Sequence, residues 1–195
     1  LPPLFGSYRP DLFEAARVSE LLAPLVAGLS PHVDLWLAET QSSIAEARAI
    51  HAGLPEDGKP FWLSFTLKDE DTDATPRLRS GEPVADAAEA AAQLGVQVLL
   101  FNCSQPEVIG AAIDAAHQAF ARLGVTIQIG AYANAFPPQP KEATANDGLD
   151  PLREDLDPPG YLHWATDWQA RGASHLGGCC GIGPEHIAVL AQKLG

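Results

Sequence analysis

Short apolar or β-branched runs alternate with alanine-rich stretches of helical length along the whole chain. That alternation restricts the fold to one in which parallel strands are connected by covering helices. The pattern predicts strands at 33–39 (VDLWLAE), 61–67 (FWLSFTL), 96–102 (VQVLLFN) and 126–132 (TIQIGAY), and a short one at 174–178 (SHLGG). Helices are predicted at 12–27, 43–52, 83–94, 106–123, 161–171 and 184–193. Gly95, Gly124 and Gly172 stand where a helix C-terminus favours glycine. Ser104 and Glu107 have capping-box spacing, and Gly183-Pro184-Glu185 suits a helix start. Irregular segments are expected at 68–82 and 135–160. The second is too long and too rich in Pro and Asp for a plain connector, so a functional lid or partly disordered segment is expected there.

Composition removes several function classes. At 195 residues, 46% hydrophobic and 19% charged, the chain has the makeup of a single globular domain over 1–195. Its 12 Lys and Arg against 25 Asp and Glu give a net charge of −13, with no basic run to track a phosphate backbone, so nucleic acid is not an expected partner. No segment approaches the ~20 apolar residues of a membrane span, and no signal-peptide pattern opens the chain. A soluble, cytoplasmic protein is expected. Three cysteines are too few for a disulfide framework, which favours metal or thiol chemistry in a reduced compartment. There is no methionine, and Leu1 is not expected to be the natural start. The sequence leaves the oligomeric state open.

Each predicted strand ends in a chemically capable residue: Glu39-Thr40, Thr66, Asn102-Cys103, Asn134 and Cys179-Cys180. In α/β folds the ligand site lies at the carboxyl ends of the strands, so these positions are expected on one face. Taken alone, Cys103 reads as a small buried hydrophobe. Cys179 and Cys180, flanked by Gly177, Gly178 and Gly181, change that balance, because the glycines let the backbone turn both sulfurs toward one point. Three thiolates suit a Zn²⁺ with one open position, whereas an iron-sulfur cluster usually takes four. His175, inside or flanking the strand, and His186, on a helix surface, are the nearby candidates for a fourth ligand. A thiolate-rich zinc is a poor activator of water but a good holder of a fourth thiol. A free thiol of pKa near ~8.5 is mostly protonated at neutral pH and would be deprotonated on binding. The chemistry so implied is alkylation of a substrate thiol. A phosphate cradle at the Gly-Gly turn is the competing use of the same segment.

The NCS at 102–104 and GGCCGIGPEHI at 177–187 resemble the two zinc motifs of the homocysteine S-methyltransferase family, with support from AET at 38–40 and SF at 64–65. The similarity runs from SYRPD at 7–11 to the end of the chain. It implies an α/β fold of the (β/α)8 TIM-type barrel class and transfer of a methyl group to homocysteine, giving methionine. It also implies Zn²⁺ as cofactor, bound by Cys103, Cys179 and Cys180. Glu39 would hold the substrate amino group, with Thr40, Asn102 and Asn134 also lining the substrate site. Asn134 stands in YANAF where the family has a Pro-Asn-Ser-Gly-Glu stretch. A sulfonium donor (S-methylmethionine or S-adenosylmethionine) is the expected partner, since the chain ends after its last helix; Tyr132, Phe136 and Trp164 could attract the cation. The alternatives are a noncatalytic zinc- or thiol-binding barrel, or the homocysteine-binding part of a betaine- or cobalamin-dependent enzyme. The family's opening strands have no counterpart in the sequence. The five strands should therefore be about the fourth to eighth of the barrel, in an N-terminally incomplete domain.

Overall fold

The computed structural model describes residues 1–72, 75–138 and 151–195. The predicted irregular segments fall partly on 73–74 and 139–150, and the lid expectation for 139–150 lies outside the described residues. Five strands, β1 (Trp36–Gln41), β2 (Phe61–Phe65), β3 (Val98–Asn102), β4 (Gln128–Tyr132) and β5 (His175–Leu176), form one sheet in chain order. Every neighbouring pair is parallel, so each connection must cross back over the sheet, and each carries a helix. Helix α1 (Val18–Leu29) precedes β1. Helices α2 (Ile44–Ala52), α3 (Val84–Gln93), α4 (Pro106–Leu123) and α5 (Pro158–Ala170) follow β1 to β4, and α6 (Pro184–Leu194) follows β5.

The differences from expectation lie at element ends. The first helix starts at Val18 because Pro10–Leu12 and Ala15–Arg17 wind as separate 3-10 turns. The fifth starts early, at Pro158, where the Asp157 carboxylate accepts from the Gly160 amide at 2.8 Å. The capping box expected at 104–107 does not form. Ser104 Oγ instead accepts from the Leu67 amide (2.8 Å) at the end of β2, and the Glu107 carboxylate takes Arg153. The box that does form is Ser43 with Glu46 at the start of α2.

The two faces of the sheet are unlike. Toward the helices, Leu63, Phe65, Leu99, Phe101, Ile129 and Ala131 are completely buried against the small residues of α3 and α4, such as Ala88, Ala91, Ala112 and Ala116. Alanines let the helix axes approach the sheet closely. On the opposite face Leu37, Trp62, Tyr132 and His175 are only half-buried. That face is concave. The Trp62 and His175 rings, three strands apart in the sheet, meet at 5.0 Å, and the Tyr132 hydroxyl on β4 reaches Glu39 on β1. In a flat sheet those strands would lie about 14 Å apart, so the sheet is strongly curled. Gly130 is what the curl requires, since a Cβ there would stand 2.5 Å from Leu100 and 2.6 Å from His175.

At the outer edge of β1, the Leu1 amino group donates to the Leu37 carbonyl (2.6 Å) and the Glu39 amide donates to the Leu1 carbonyl (2.9 Å). Bonds that bracket Ala38 in this way are the pattern of a parallel neighbour. Among the described residues no helix is long and apolar enough to cross a membrane.

The Ser43–Glu46 cap carries a pH dependence. Glu46 is 3% exposed, and its Oε2 accepts from the Ser42 (2.6 Å) and Ser43 (3.1 Å) amides. Burial, helped by the charge of Glu82, outweighs those bonds and pushes its carboxyl from the ordinary 4.5 up to about 7. The folded state therefore prefers the protonated acid. Its contribution to stability is complete below pH 4.5 and is lost as pH rises through 7, worth about 3 kcal/mol at most. Glu46→Gln keeps an acceptor for the amides and cannot ionise. Urea unfolding should find it about 1–3 kcal/mol more stable than the parent at pH 8, and nearly equal at pH 4. Identical pH slopes for the two proteins would exclude Glu46 as the source.

Candidate active site

The carboxyl ends of β3 and β5 carry the three cysteines. Cys103 follows β3 directly and is 6% exposed; Cys179 is half-buried and Cys180 exposed. Their sulfurs all lie within 4.8 Å of one another. Cys103 and Cys179 are joined as a disulfide with Cα atoms 5.8 Å apart, and the Cys180 sulfur sits 3.8 Å from that of Cys179. The sequence-based expectation that the three converge is met in space.

Backbone bonds hold the double-cysteine turn in place. The Cys179 amide donates to the Ala133 carbonyl (2.9 Å), and the Ala135 amide donates to the Cys180 carbonyl (2.8 Å), stitching the turn to the chain leaving β4. Gly181 then turns at φ +81°, where a side chain would be strained and would crowd Ala135 and Leu152. From α5, the fully buried Tyr161 places its hydroxyl 2.8 Å from the Gly177 carbonyl and 3.3 Å from that of Ala133. A tyrosine inside a helix carries no sequence signal for that role.

Beneath the sulfurs runs a polar network on strand ends. Ser64 Oγ donates to Asn102 Oδ1 (2.6 Å), and Asn102 Nδ2 donates to Thr40 Oγ1 (2.7 Å), all three residues being buried. Thr66 Oγ1 donates to the Cys103 carbonyl (3.1 Å). Asn102 and Thr40 thus serve as a rigid floor, their polar atoms already engaged. Glu39 is the exposed member on the concave side and accepts from the Tyr132 hydroxyl at 3.2 Å. Burial, with the Glu39 charge nearby, raises the Tyr132 phenol well above its ordinary value, so it remains a donor. Asn134 is completely buried. Its Oδ1 accepts from the Phe136 amide (3.3 Å).

The histidines and aromatics separate. His175 faces the concave side against Trp62, with Nδ1 3.0 Å from Ser174 Oγ. His186, expected on a helix surface, is instead 7% exposed: its Nδ1 accepts from the Gly183 amide (3.1 Å) and its Nε2 lies 3.0 Å from the Leu156 carbonyl. Those contacts make the ring a cap on the start of α6. Trp164 packs with His163 on α5, whereas Tyr132 and Trp62 are the aromatics of the concave face. Trp62 escaped sequence reasoning because a strand tryptophan reads as core.

Tyr8 was also missed. It lies in the irregular segment before α1, yet is 8% exposed, its ring stacked 4.9 Å from the Arg79 guanidinium. Burial first, then the charge of Cys180, pushes its phenol up to about 12, with the Asn134 amide opposing. Arg79 is ion-paired with Asp69 at 2.9 Å, both side chains almost wholly buried, and Asp69 also accepts from the Gln105 amide (3.2 Å) just beyond Cys103. Arg153 grips Glu107 through both carboxylate oxygens (2.7 and 3.0 Å), anchoring its segment to the start of α4. Tyr8, Thr40 and Cys103 are the non-glycine residues with positive φ among those described, at 68°, 57° and 48°. All three stand at this mouth. At Thr40 the conformation coincides with a break in the β1–β2 register between Ala38 and Gln41.

Fold and site define an α/β protein with a curled parallel sheet and a cluster of sulfurs at its carboxyl edge. Solved structures share that fold. A 2,3-dimethylmalate lyase of the PEP mutase/isocitrate lyase superfamily, TIM-barrel-like, matches 94% of the chain and 62% of its own at TM-score 0.56 and 13% identity. A putative phosphonomutase from Burkholderia cenocepacia J2315 matches 97% and 76%, at TM-score 0.56 and 18% identity. Sequence narrows the class further. The family model for homocysteine S-methyltransferase matches residues 4–194, and the chain belongs to that family. Homocysteine S-methyltransferase 3 of Arabidopsis thaliana is 29% identical over 167 residues, covering 83% of this chain and 43% of the plant protein. Homocysteine S-methyltransferase 4 of Zea mays is 27% identical over 176 residues, covering 87% and 46%. The chain thus spans less than half the length of these relatives.

Proposed function

We propose that the protein transfers a methyl group from a sulfonium donor, S-methylmethionine or S-adenosylmethionine, to the thiol of homocysteine, giving methionine. The observation that carries this is the convergence of Cys103, Cys179 and Cys180 in a chain of this family. The three sulfurs fit Zn²⁺. At a Zn–S distance of about 2.3 Å a tetrahedral site has sulfurs roughly 3.8 Å apart, and Cys179 and Cys180 are separated by 3.8 Å. The Cys103–Cys179 bond must be reduced before that site can fill. Bound zinc would supply a deprotonated yet nucleophilic substrate thiol at neutral pH.

The chain's own residues supply the rest. Glu39, held by Tyr132, offers a carboxylate to the substrate ammonium, and the Ser64–Asn102–Thr40 chain keeps the floor rigid. The substrate sulfur gives up its proton and attacks the donor methyl carbon. A new S–C bond forms while the old one breaks, its electron pair returning to the donor sulfur as a neutral thioether. The acidic balance of the chain and the concave-face aromatics Trp62 and Tyr132 favour a cationic donor. We further propose that the five strands are the fourth to eighth of a (β/α)8 barrel, an N-terminally incomplete single domain. The curl of the sheet and the parallel pairing of Leu1 on β1 support that placement.

The full-length gene product should hold one zinc per chain under reducing conditions and form methionine from homocysteine with a sulfonium donor, tested beside betaine and methylcobalamin. Less than one zinc in a metal-replete preparation, or turnover with neither sulfonium, overturns the assignment. Glu39→Gln should raise KM for homocysteine by about 10- to 100-fold, the worth of one charged hydrogen bond, with kcat changed far less. The coverage of less than half of its relatives favours a second reading for the 195-residue piece alone: it binds zinc and thiol without turnover.

A further inference from the structure

Gln105 is the N-cap residue of α4, a place where a short Ser, Thr, Asp or Asn side chain bonds to the helix's own amides. Its longer side chain makes no such bond. It is 2% exposed and turns instead toward the chain leaving β4: Nε2 donates to the Phe136 carbonyl, and Oε1 accepts from Arg153 Nη1. Both ends of the amide are engaged, a use that needs a donor and an acceptor on one side chain.

What lies on either side of that amide gives it a part in the site. Cys103 belongs to a frame fixed to the end of β2, where Ser104 Oγ accepts from the Leu67 amide (2.8 Å) and the Asp69 carboxylate accepts from the Gln105 amide (3.2 Å). Cys179 and Cys180 belong to a second frame, bonded through their backbone to Ala133 (2.9 Å) and Ala135 (2.8 Å). The Asn134 amide, donating to the Ser104 carbonyl (3.2 Å), and the Gln105 side chain join the two frames. Arg153 closes the joint. Its own amide donates to the Ala135 carbonyl (2.9 Å), while its guanidinium reaches Gln105 and is held by Glu107.

We propose that Gln105 is a positioning residue for the sulfur cluster: its amide, oriented by Arg153, sets the spacing between Cys103 and the Cys179–Cys180 pair, and with it the affinity of the site for Zn²⁺. The proposal rests on the zinc-thiolate reading of the site. A tetrahedral site fixes the distances between its sulfurs, and groups one step behind the ligands typically carry about 10- to 100-fold of metal affinity.

The test uses the full-length protein under reducing conditions, with zinc affinity read by competition against a chromophoric chelator and geometry by the absorption of the Co²⁺ form. Gln105→Met keeps the length of the side chain and removes both bonds. Its dissociation constant for Zn²⁺ should rise about 10- to 100-fold, and the d–d bands of its Co²⁺ form should shift. Gln97→Met makes the same change at the amino end of the sheet, where Gln97 Oε1 accepts from the Phe61 amide (2.6 Å), and should bind zinc as the parent does. Parental zinc affinity in folded Gln105→Met overturns the proposal, as does an equal loss in Gln97→Met, which would make the effect one of general stability. If Gln105→Met fails to fold, Arg153→Met decides: it releases the Gln105 amide from a partly exposed position, so zinc binding should weaken about tenfold, and unchanged affinity refutes the proposal. A parent protein that binds no zinc sinks the proposed function itself, whereas a parent that binds it beside a variant that matches it sinks only the role of Gln105.

Discussion

Cys179→Ala is expected to abolish zinc retention and methyl transfer together, with activity falling on the order of 10³-fold or more. Cys179 is the informative position because it is half-buried, while Cys103 is packed at 6% exposure and would confound loss of sulfur with loss of packing. Two thiolates do not make a tight tetrahedral site, so the metal should be lost to a mild chelator that the parent resists. The cysteines act as a unit, and the Cys179→Ala/Cys180→Ala double variant should be hardly worse than the single one. Zinc stoichiometry and single-turnover methionine formation, both under reducing conditions, check this. Full activity in Cys179→Ala would leave the sulfur cluster without a catalytic part and reopen the phosphate-cradle use of the Gly177-Gly178 turn.

Arg79→Ala should be the most destabilising single change near the site, costing about 3–5 kcal/mol. The guanidinium and the Asp69 carboxylate pair at 2.9 Å with side-chain exposures of 4% and 0%, so its removal leaves a carboxylate charge deep in the protein without its counter-ion. Against a typical total of about 5–15 kcal/mol, that is a large share. The urea midpoint should fall accordingly. Asp69→Leu combined with Arg79→Met should recover much of the loss, because two apolar groups avoid the unpaired charge. Equal stability of Arg79→Ala and the parent would mean that the pair is solvated.

Much of the scaffold can be read along the chain. The helix at 106–123 is found with the expected bounds, because Pro106 opens it, Gly124 in a left-handed conformation closes it, and a clean apolar stripe lies between. Element starts were less legible where side chains bond across the sheet. Ser104 looks like a cap by spacing, but its hydroxyl accepts from the Leu67 amide instead. His186 looks like a surface residue by position, yet closes a helix start beneath Leu156.

The sequence by itself determined the parallel α/β pattern, the six helices and five strands, and the candidate set Glu39, Thr40, Asn102, Cys103, Asn134, Cys179 and Cys180. It could do so because residue period, turn glycines and the rarity of cysteine are local properties of the chain. Only the tertiary structure decided which of these residues are floor and which face the concave side, and that Tyr8, Arg79 and Asp69 join them. Those assignments depend on the curl of the sheet, which brings β1 against β4 and β2 against β5. Curvature of that kind is set by packing summed over all the strands, so no short stretch of sequence records it.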